Sequence, residues 1–227
     1  EIWPDQPVGR VRDSLYTYVS QLRKALGKDR IVRADGGYRV DLADGDEIDA
    51  VVFERSADRA RRLRGSVPGA GALLFDLGLG LWRGRPYEGF EDLPSSVPEV
   101  ARLDEMRVSA AEDRIEAELG AGGTPVAGDV EKLCEEHPYR ERLWGLLART
   151  LYRAGRQVEA LHTFTRLRSV LIADLGLNLS PEIVRQEEQI LLQDPTLAPD
   201  AAPPPTNVPG PVSIFVGRID EMTLLEK

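Results

Sequence analysis

Cysteine is almost missing from this chain, and that absence excludes several chemistries at once. The single thiol, Cys134, has no second cysteine for an internal disulfide, and no Cys or His cluster near it offers zinc-ligand spacing. Histidine is equally scarce: His137 and His162 are the only two, they do not stand at metal-ligand spacing, and HExxH is absent. Long apolar runs are lacking too, with no stretch of about eighteen residues of the kind that crosses a bilayer. Neither a charged-then-apolar leader with a small-residue cleavage site nor a Walker phosphate loop is found. A cytoplasmic address and no membrane contact are the expectations. No isolated carboxylate pair asks for acid–base work, so the chain is not expected to be an enzyme, to hold a cofactor or metal, or to carry an evident small-molecule ligand site.

What remains is ordinary globular material in 227 residues, 42% hydrophobic and 30% charged, enough for one or two domains with real cores. The charge is unevenly placed. The whole chain carries −9, which read globally argues against nucleic acid. Yet residues 10–39 hold eight basic residues (Arg10, Arg12, Arg23, Lys24, Lys28, Arg30, Arg33, Arg39) against Asp13, Asp29 and Asp35, a local +5, so the rest carries −14. A basic stripe is what phosphates attract, and the acidic remainder leaves residues 10–39 as the expected approach for a polyanion.

Apolar periodicity predicts a helix over Arg10–Leu26 with Leu15, Val19, Leu22 and Leu26 as its inner stripe and Gly27 as its stop. Two strand-like runs follow, 30–33 and 38–42, around Asp35-Gly36-Gly37, a hairpin signal. A helix leading into a basic hairpin is the reading half of a winged helix. Taking the stripe as buried, the opposite face of the helix carries Asp13, Thr17, Ser20, Gln21 and Lys24, with Arg10 near it. Gln21 can pair bidentately with adenine, and Thr17 can offer a methyl to thymine. Arg12, Arg23 and Lys24 are placed to hold flanking phosphates, and Arg33 and Arg39 to bring positive charge from the hairpin toward the minor groove. Taken alone, the wheel fits a solvated amphipathic helix as well, and a wing arginine such as Arg39 could be an ion-pair partner of Asp41. The adjoining basic hairpin favours DNA.

From Asp49 to Gln193 the pattern is helical, with helices predicted over 49–64, 70–81, 97–119, 127–136, 140–153, 157–174 and 180–192. Trp144, Leu147, Ala148, Leu151, Gly155, Ala160, Phe164 and Leu167 fall at the large and small positions of one tetratricopeptide helix-turn-helix unit. One unit cannot bury its own face, so three helix pairs and a capping helix are expected to stack. Gly78-Leu79-Gly80-Leu81-Trp82-Arg83-Gly84 fails the dinucleotide spacing and is read as a helix end beside Trp82. The acids of this region are read as a solvated face. Seven prolines within 195–211 predict a stiff exposed linker, 194–212, and 213–227 reads as the start of a further domain. Glu1-Ile2-Trp3-Pro4 reads as a helix end, so the chain is expected to be cut at both ends.

Several of these segments together resemble the SARP-type antibiotic regulatory proteins and their larger relatives. The matching runs are Tyr18 to Gly27 (YVSQLRKALG), Gly37-Tyr38-Arg39, Leu81-Trp82-Arg83-Gly84, His137-Pro138-Tyr139-Arg140-Glu141, and Leu151 to Gln157 (LYRAGRQ) with Glu159-Ala160-Leu161. The resemblance covers residues 1–193 in the family's order. It implies a mainly α chain: the C-terminal part of an OmpR-like winged helix over 1–42, then a tetratricopeptide-like bacterial transcriptional activator domain over 49–193. It further implies promoter DNA and RNA polymerase as partners, a homodimer, and transcription activation. Phe215-Val216-Gly217-Arg218 with Asp220-Glu221 looks like the entry to the ATPase module of larger members. The chain departs from the family in lacking the first sheet and helix of the winged domain. It also has Ala34 where the family often has arginine, a role expected to pass to Arg33 one position earlier, and Gln21 where the family commonly has arginine, which is expected to change base preference more than affinity. Two other readings stay open: a helical adaptor whose winged segment docks protein, and the regulatory front end of an ATPase switch.

Overall fold

The computed structural model describes residues 7–197. The N-terminal helix end, the linker beyond Leu197 and residues 213–227 lie outside the described residues. Among the described residues eight α-helices and one hairpin follow in the order α1 (Val8–Leu26), β1 (Ile31–Ala34), β2 (Gly37–Val40), α2 (Asp49–Leu63), α3 (Pro68–Leu79), α4 (Val97–Gly120), α5 (Ala127–Glu136), α6 (Glu141–Arg153), α7 (Gln157–Leu175) and α8 (Pro181–Leu191). The architecture is mainly α, as expected, and every predicted helix boundary lies within two residues of the observed one.

Local signals explain where the elements stop. Gly27, at φ 109°, ends α1 and donates its N–H to the Arg23 carbonyl at 3.0 Å. The hairpin pairs antiparallel with Ile31 opposite Val40 and Ala34 opposite Gly37, and Gly36 takes φ 78° in the turn. Gly155 (φ 76°) turns the chain between α6 and α7, and Gly176 (φ 67°) ends α7 in the left-handed conformation.

Two cores lie in the helical body. The larger holds Ile115, Leu119, Val130, Cys134, Leu143, Trp144, Leu147, Phe164, Leu167, Ile183 and Ile190, drawn from α4 through α8. The tetratricopeptide register holds here. Trp144, Leu147, Ala148, Leu151, Ala160, Phe164 and Leu167 are all buried, with Ala148 and Ala160 fully so at the close approach of α6 and α7. His137 closes α5 as its cap residue, and the next residue's carbonyl, Pro138, accepts the Trp144 indole N–H at 3.0 Å.

The smaller core gathers Phe53, Ala57, Ala60, Phe75 and Ala110. It corrects the expectation of three stacked pairs: α3 packs on both α2 and α4, and α4 then contributes to both cores. Small residues bring α3 close to α2. A Cβ on Gly78 would stand 3.2 Å from Phe53 Cδ2, and one on Gly71 would stand 3.2 Å from the Ala60 carbonyl oxygen. Gly78 is therefore a packing glycine inside α3, while Gly80 caps the helix end beside Trp82. Trp82 meets Phe53 edge-on, with ring centroids 5.4 Å apart.

A second correction concerns the acids. Glu112 and Asp113 on α4 are buried, at 2% and 6% exposure, and are not part of a solvated face. Arg140 grips Glu112 at 2.9 Å, Arg61 grips Asp113 at 2.9 Å, and Arg142 reaches both at 3.2 and 2.7 Å. Arg64 adds Asp113 and Glu116. Four arginines, from the end of α2 with its cap residue Arg64 and from the start of α6 with its cap residue Arg140, thus converge on one stretch of α4, where the two cores meet. Packing also runs past the predicted end of the body: Pro195–Leu197 form a 3-10 turn and Leu197 rests on the larger core.

Candidate nucleic-acid interface

The site is assembled from α1 and the hairpin, and the surface of α1 divides it. Val19 is the buried point, at 6% exposure, because the 3-10 turn Lys28–Arg30 and β1 pack beside it. Leu15, Leu22 and Leu26, expected on the same stripe, are exposed at 39%, 48% and 55%. The packed neighbours of α1 among the described residues cover only one segment of its apolar side. No helix of the described residues is long and apolar enough to cross a membrane.

At about 100° per residue, Arg10, Asp13, Thr17, Gln21 and Lys24 line up on the face away from Val19. All five are exposed, and Ser20, also exposed, borders that face. The structure therefore brings together Arg10, Thr17, Ser20, Gln21 and Lys24. Thr17 spends its hydroxyl by donating to the Asp13 carbonyl at 3.0 Å, so its methyl is the group left to face outward. Arg10, Lys24 and Arg33 have no ion pair or hydrogen bond from the side chain among the described residues.

Arg12 and Arg23 do not belong to that face. Seven and eleven residues apart along the helix from Arg12, Val19 and Arg23 share its side. Arg23 is half-buried, donates from Nε and Nη2 to the Ile31 carbonyl at 2.8 and 2.6 Å, and lies over the Tyr38 ring at 5.7 Å. It is the peg that holds the hairpin to α1. Of the two, Arg12 alone is exposed.

The hairpin register separates its two arginines. Arg33 faces Tyr38 across the ladder and Arg39 faces Val32, and cross-strand partners share a face, so Arg33 and Arg39 project from opposite faces. Arg33 is on the side of Ile31 and Tyr38, toward α1, near the turn. Arg39 is on the outer side and pairs with Asp41 at 2.8 Å, both being well exposed. Arg30 pairs with Asp46. Ser20, Lys24, Lys28 and Tyr38 border a groove of about 400 Å³ where α1 meets the hairpin.

One basic surface lies outside the span 10–39. Arg55, Arg59 and Arg62 on α2 are exposed and without partners among the described residues. The i, i+4, i+7 spacing carried the signal, but five arginines within ten residues of sequence hide which of them share a face. Among the described residues no group of three or more His, Cys, Asp or Glu is placed to hold a metal ion.

A family model, the bacterial transcriptional activator domain, matches residues 48–191. The regulatory protein AfsR of Streptomyces griseus is similar to this chain, with 32% identity over 95% of it; the chain spans only 23% of that relative. Regulatory protein DnrI of Streptomyces peucetius is 34% identical over 86% of the chain and 76% of its own length. Among solved structures, Mycobacterium tuberculosis EmbR in complex with a low-affinity phosphopeptide matches with a TM-score of 0.76 at 30% identity. That match covers 85% of this chain and 53% of the EmbR chain.

Proposed function

The chain belongs to the bacterial transcriptional activator domain family, and from that premise we propose that it is a sequence-specific DNA-binding transcription activator. The observation that carries the reading is the joined geometry of α1 and the hairpin. An exposed polar and basic helix face stands beside a basic β-ribbon, with no carboxylate among the described residues drawn onto Arg10, Lys24 or Arg33. A helix of this width fits the major groove.

In that groove Gln21 reads an adenine edge through its amide and Thr17 offers its methyl to a thymine. Ser20 lies at the margin as a hydroxyl donor or acceptor, and Arg10 and Lys24 hold phosphates on either side. Arg33 carries charge from the wing toward the minor groove. Arg39 exchanges Asp41 for phosphate, a low-cost swap because an exposed pair contributes little. Arg23 acts at one remove, by setting the angle between wing and helix, and Arg12 serves the same side. The helical body serves protein contacts, a second copy of the chain and RNA polymerase being the partners to test. Leu73 and Leu77, one turn apart on α3 and exposed at 66% and 69%, form one apolar patch on its outer surface.

The test is binding of the full-length protein to its own promoter region across 50–200 mM salt, with scrambled duplex as control. The expected result is a preference for promoter sequence on top of a steep salt dependence. Binding that ignores both salt and sequence would reject the reading.

A further inference from the structure

The acidic body carries one line of opposite sign. On α2, Arg55, Arg59 and Arg62 recur at intervals of four and three residues, opposite the core residues Phe53, Ala57 and Ala60. The line covers about 10 Å of helix axis at 1.5 Å per residue. Nearby acids are already taken: Glu54 by Arg102 at 2.5 Å and Asp58 by Arg61 at 3.3 Å. Arg61 and Arg64, from the same helix, are committed to the carboxylates of α4. The three remaining arginines are a surplus of positive charge in a domain that is otherwise net negative.

We propose that Arg55, Arg59 and Arg62 hold the phosphate backbone of DNA just outside the segment contacted by α1 and the hairpin. This inference rests on the DNA-binding reading above. Three points support phosphate over protein as the occupant. The charges are evenly spaced, and a B-form strand presents one phosphate per 3.4 Å of axis, about three over the length of the stripe. The stripe has no aromatic or large apolar side chain among its arginines, which a protein interface would need as its anchor. Finally, the eight residues between Val40 and Asp49 span at most about 29 Å when extended. The start of α2 is therefore tethered within about one turn of DNA from the hairpin. A stripe there turns an acidic body that DNA would repel into one that can lie along it.

Two duplexes and three proteins test this. One duplex ends at the half-site and the other extends about one helical turn beyond it. The proteins are full-length wild type, the triple variant Arg55→Gln/Arg59→Gln/Arg62→Gln, and the matching triple Lys variant. On the long duplex the Gln variant is expected to flatten the slope of log K against log salt by about two to three units. Its affinity at the lowest salt should fall on the order of a hundredfold. On the short duplex it should behave as wild type, its choice among bases should not change, and the Lys variant should restore the slope. All three proteins should melt alike, since the side chains are exposed. Equal slopes for wild type and the Gln variant on the long duplex would overturn the inference, and so would loss of self-association or polymerase binding with the slope intact. Wild type showing no salt-dependent binding to either duplex is a different pattern, and would overturn the DNA-binding reading together with this one.

Discussion

The helical body and the α1–hairpin unit use arginine in opposite ways. Around α4, Arg61, Arg64, Arg140 and Arg142 end on Glu112, Asp113 and Glu116, two of which are buried. On α1 and the hairpin, Arg10, Arg12 and Arg33 have no partner among the described residues, and Arg39 has only an exposed one. Arg23 and Arg30 are the exceptions within that unit, because the Ile31 carbonyl lies within reach of the first and Asp46 within reach of the second. The difference teaches that an arginine's role depends on which acceptor the fold sets beside it. Where the fold supplies a desolvated carboxylate, arginine joins helices. Where it supplies none, the charge stays available to a partner.

The largest effect should come from removing the carboxylate on which Arg140 and Arg142 converge. Glu112→Ala leaves two guanidinium groups without their shared buried acceptor, and should cost about 3 kcal/mol in chemical denaturation. Loss of less than about 1 kcal/mol would mean that Glu105, which also pairs with Arg140 at 2.7 Å, together with Asp113 and Glu116 suffices for these arginines, and would blur the contrast.

Asp113 sharpens the same point through pH. Burial pushes its carboxyl up, but hydrogen bonds from Arg61 and Arg142, with their charge, outweigh burial and hold it below the ordinary carboxylate range. The folded chain then binds this proton less readily than the unfolded one. The stabilisation is complete above the unfolded carboxylate's pKa, near pH 4, and is lost as pH falls through the lower folded value. Melting temperature followed from about pH 6 to pH 3 should drop, and Asp113→Asn should shallow that drop. An unchanged acid limb in the variant would take Asp113 out of the network.

Within the body but away from the charges, Ala160→Leu should cost roughly 1–3 kcal/mol, because added methylenes would part α6 from α7. An unchanged melting point would contradict the close approach at that position. In the other unit, Arg23→Ala should free the hairpin from α1 at a cost of about 1–2 kcal/mol, read as faster amide exchange in β1. Its DNA affinity should fall with the salt slope unchanged, which separates a residue that positions the wing from one that meets phosphate.

Much of this was legible in the sequence, and the gaps have a common cause. Helix positions followed from the 3.6-residue period and from stops such as Gly27, Gly155 and Gly176, all local signals. The α6–α7 unit was legible because large and small residues alternate at fixed offsets. Which helices face each other was not, since small residues such as Gly71, Gly78, Ala57 and Ala60 give little apolar signal yet set the close approach of α3 to α2. Glu112 and Asp113 look like surface acids because their arginine partners lie 28–52 residues away along the chain. At the interface, the face with Gln21 and Lys24 followed from the wheel. Arg12 and Arg23 were expected beside it on flanking phosphates; that Arg23 is held by the Ile31 carbonyl was not legible, because charge alone does not tell which side of a helix a hairpin covers.

The most direct test of the central claim compares Gln21→Ala with Lys24→Ala in the full-length protein, each titrated against a bound site and its single-base variants. If α1 reads bases with one residue and holds phosphate with its neighbour, Gln21→Ala loses about 1–3 kcal/mol of discrimination at one base position with the salt slope intact. Lys24→Ala then weakens every sequence alike and flattens the slope by about one unit. Equal losses on all sequences from both variants, with no base position singled out, would contradict the account.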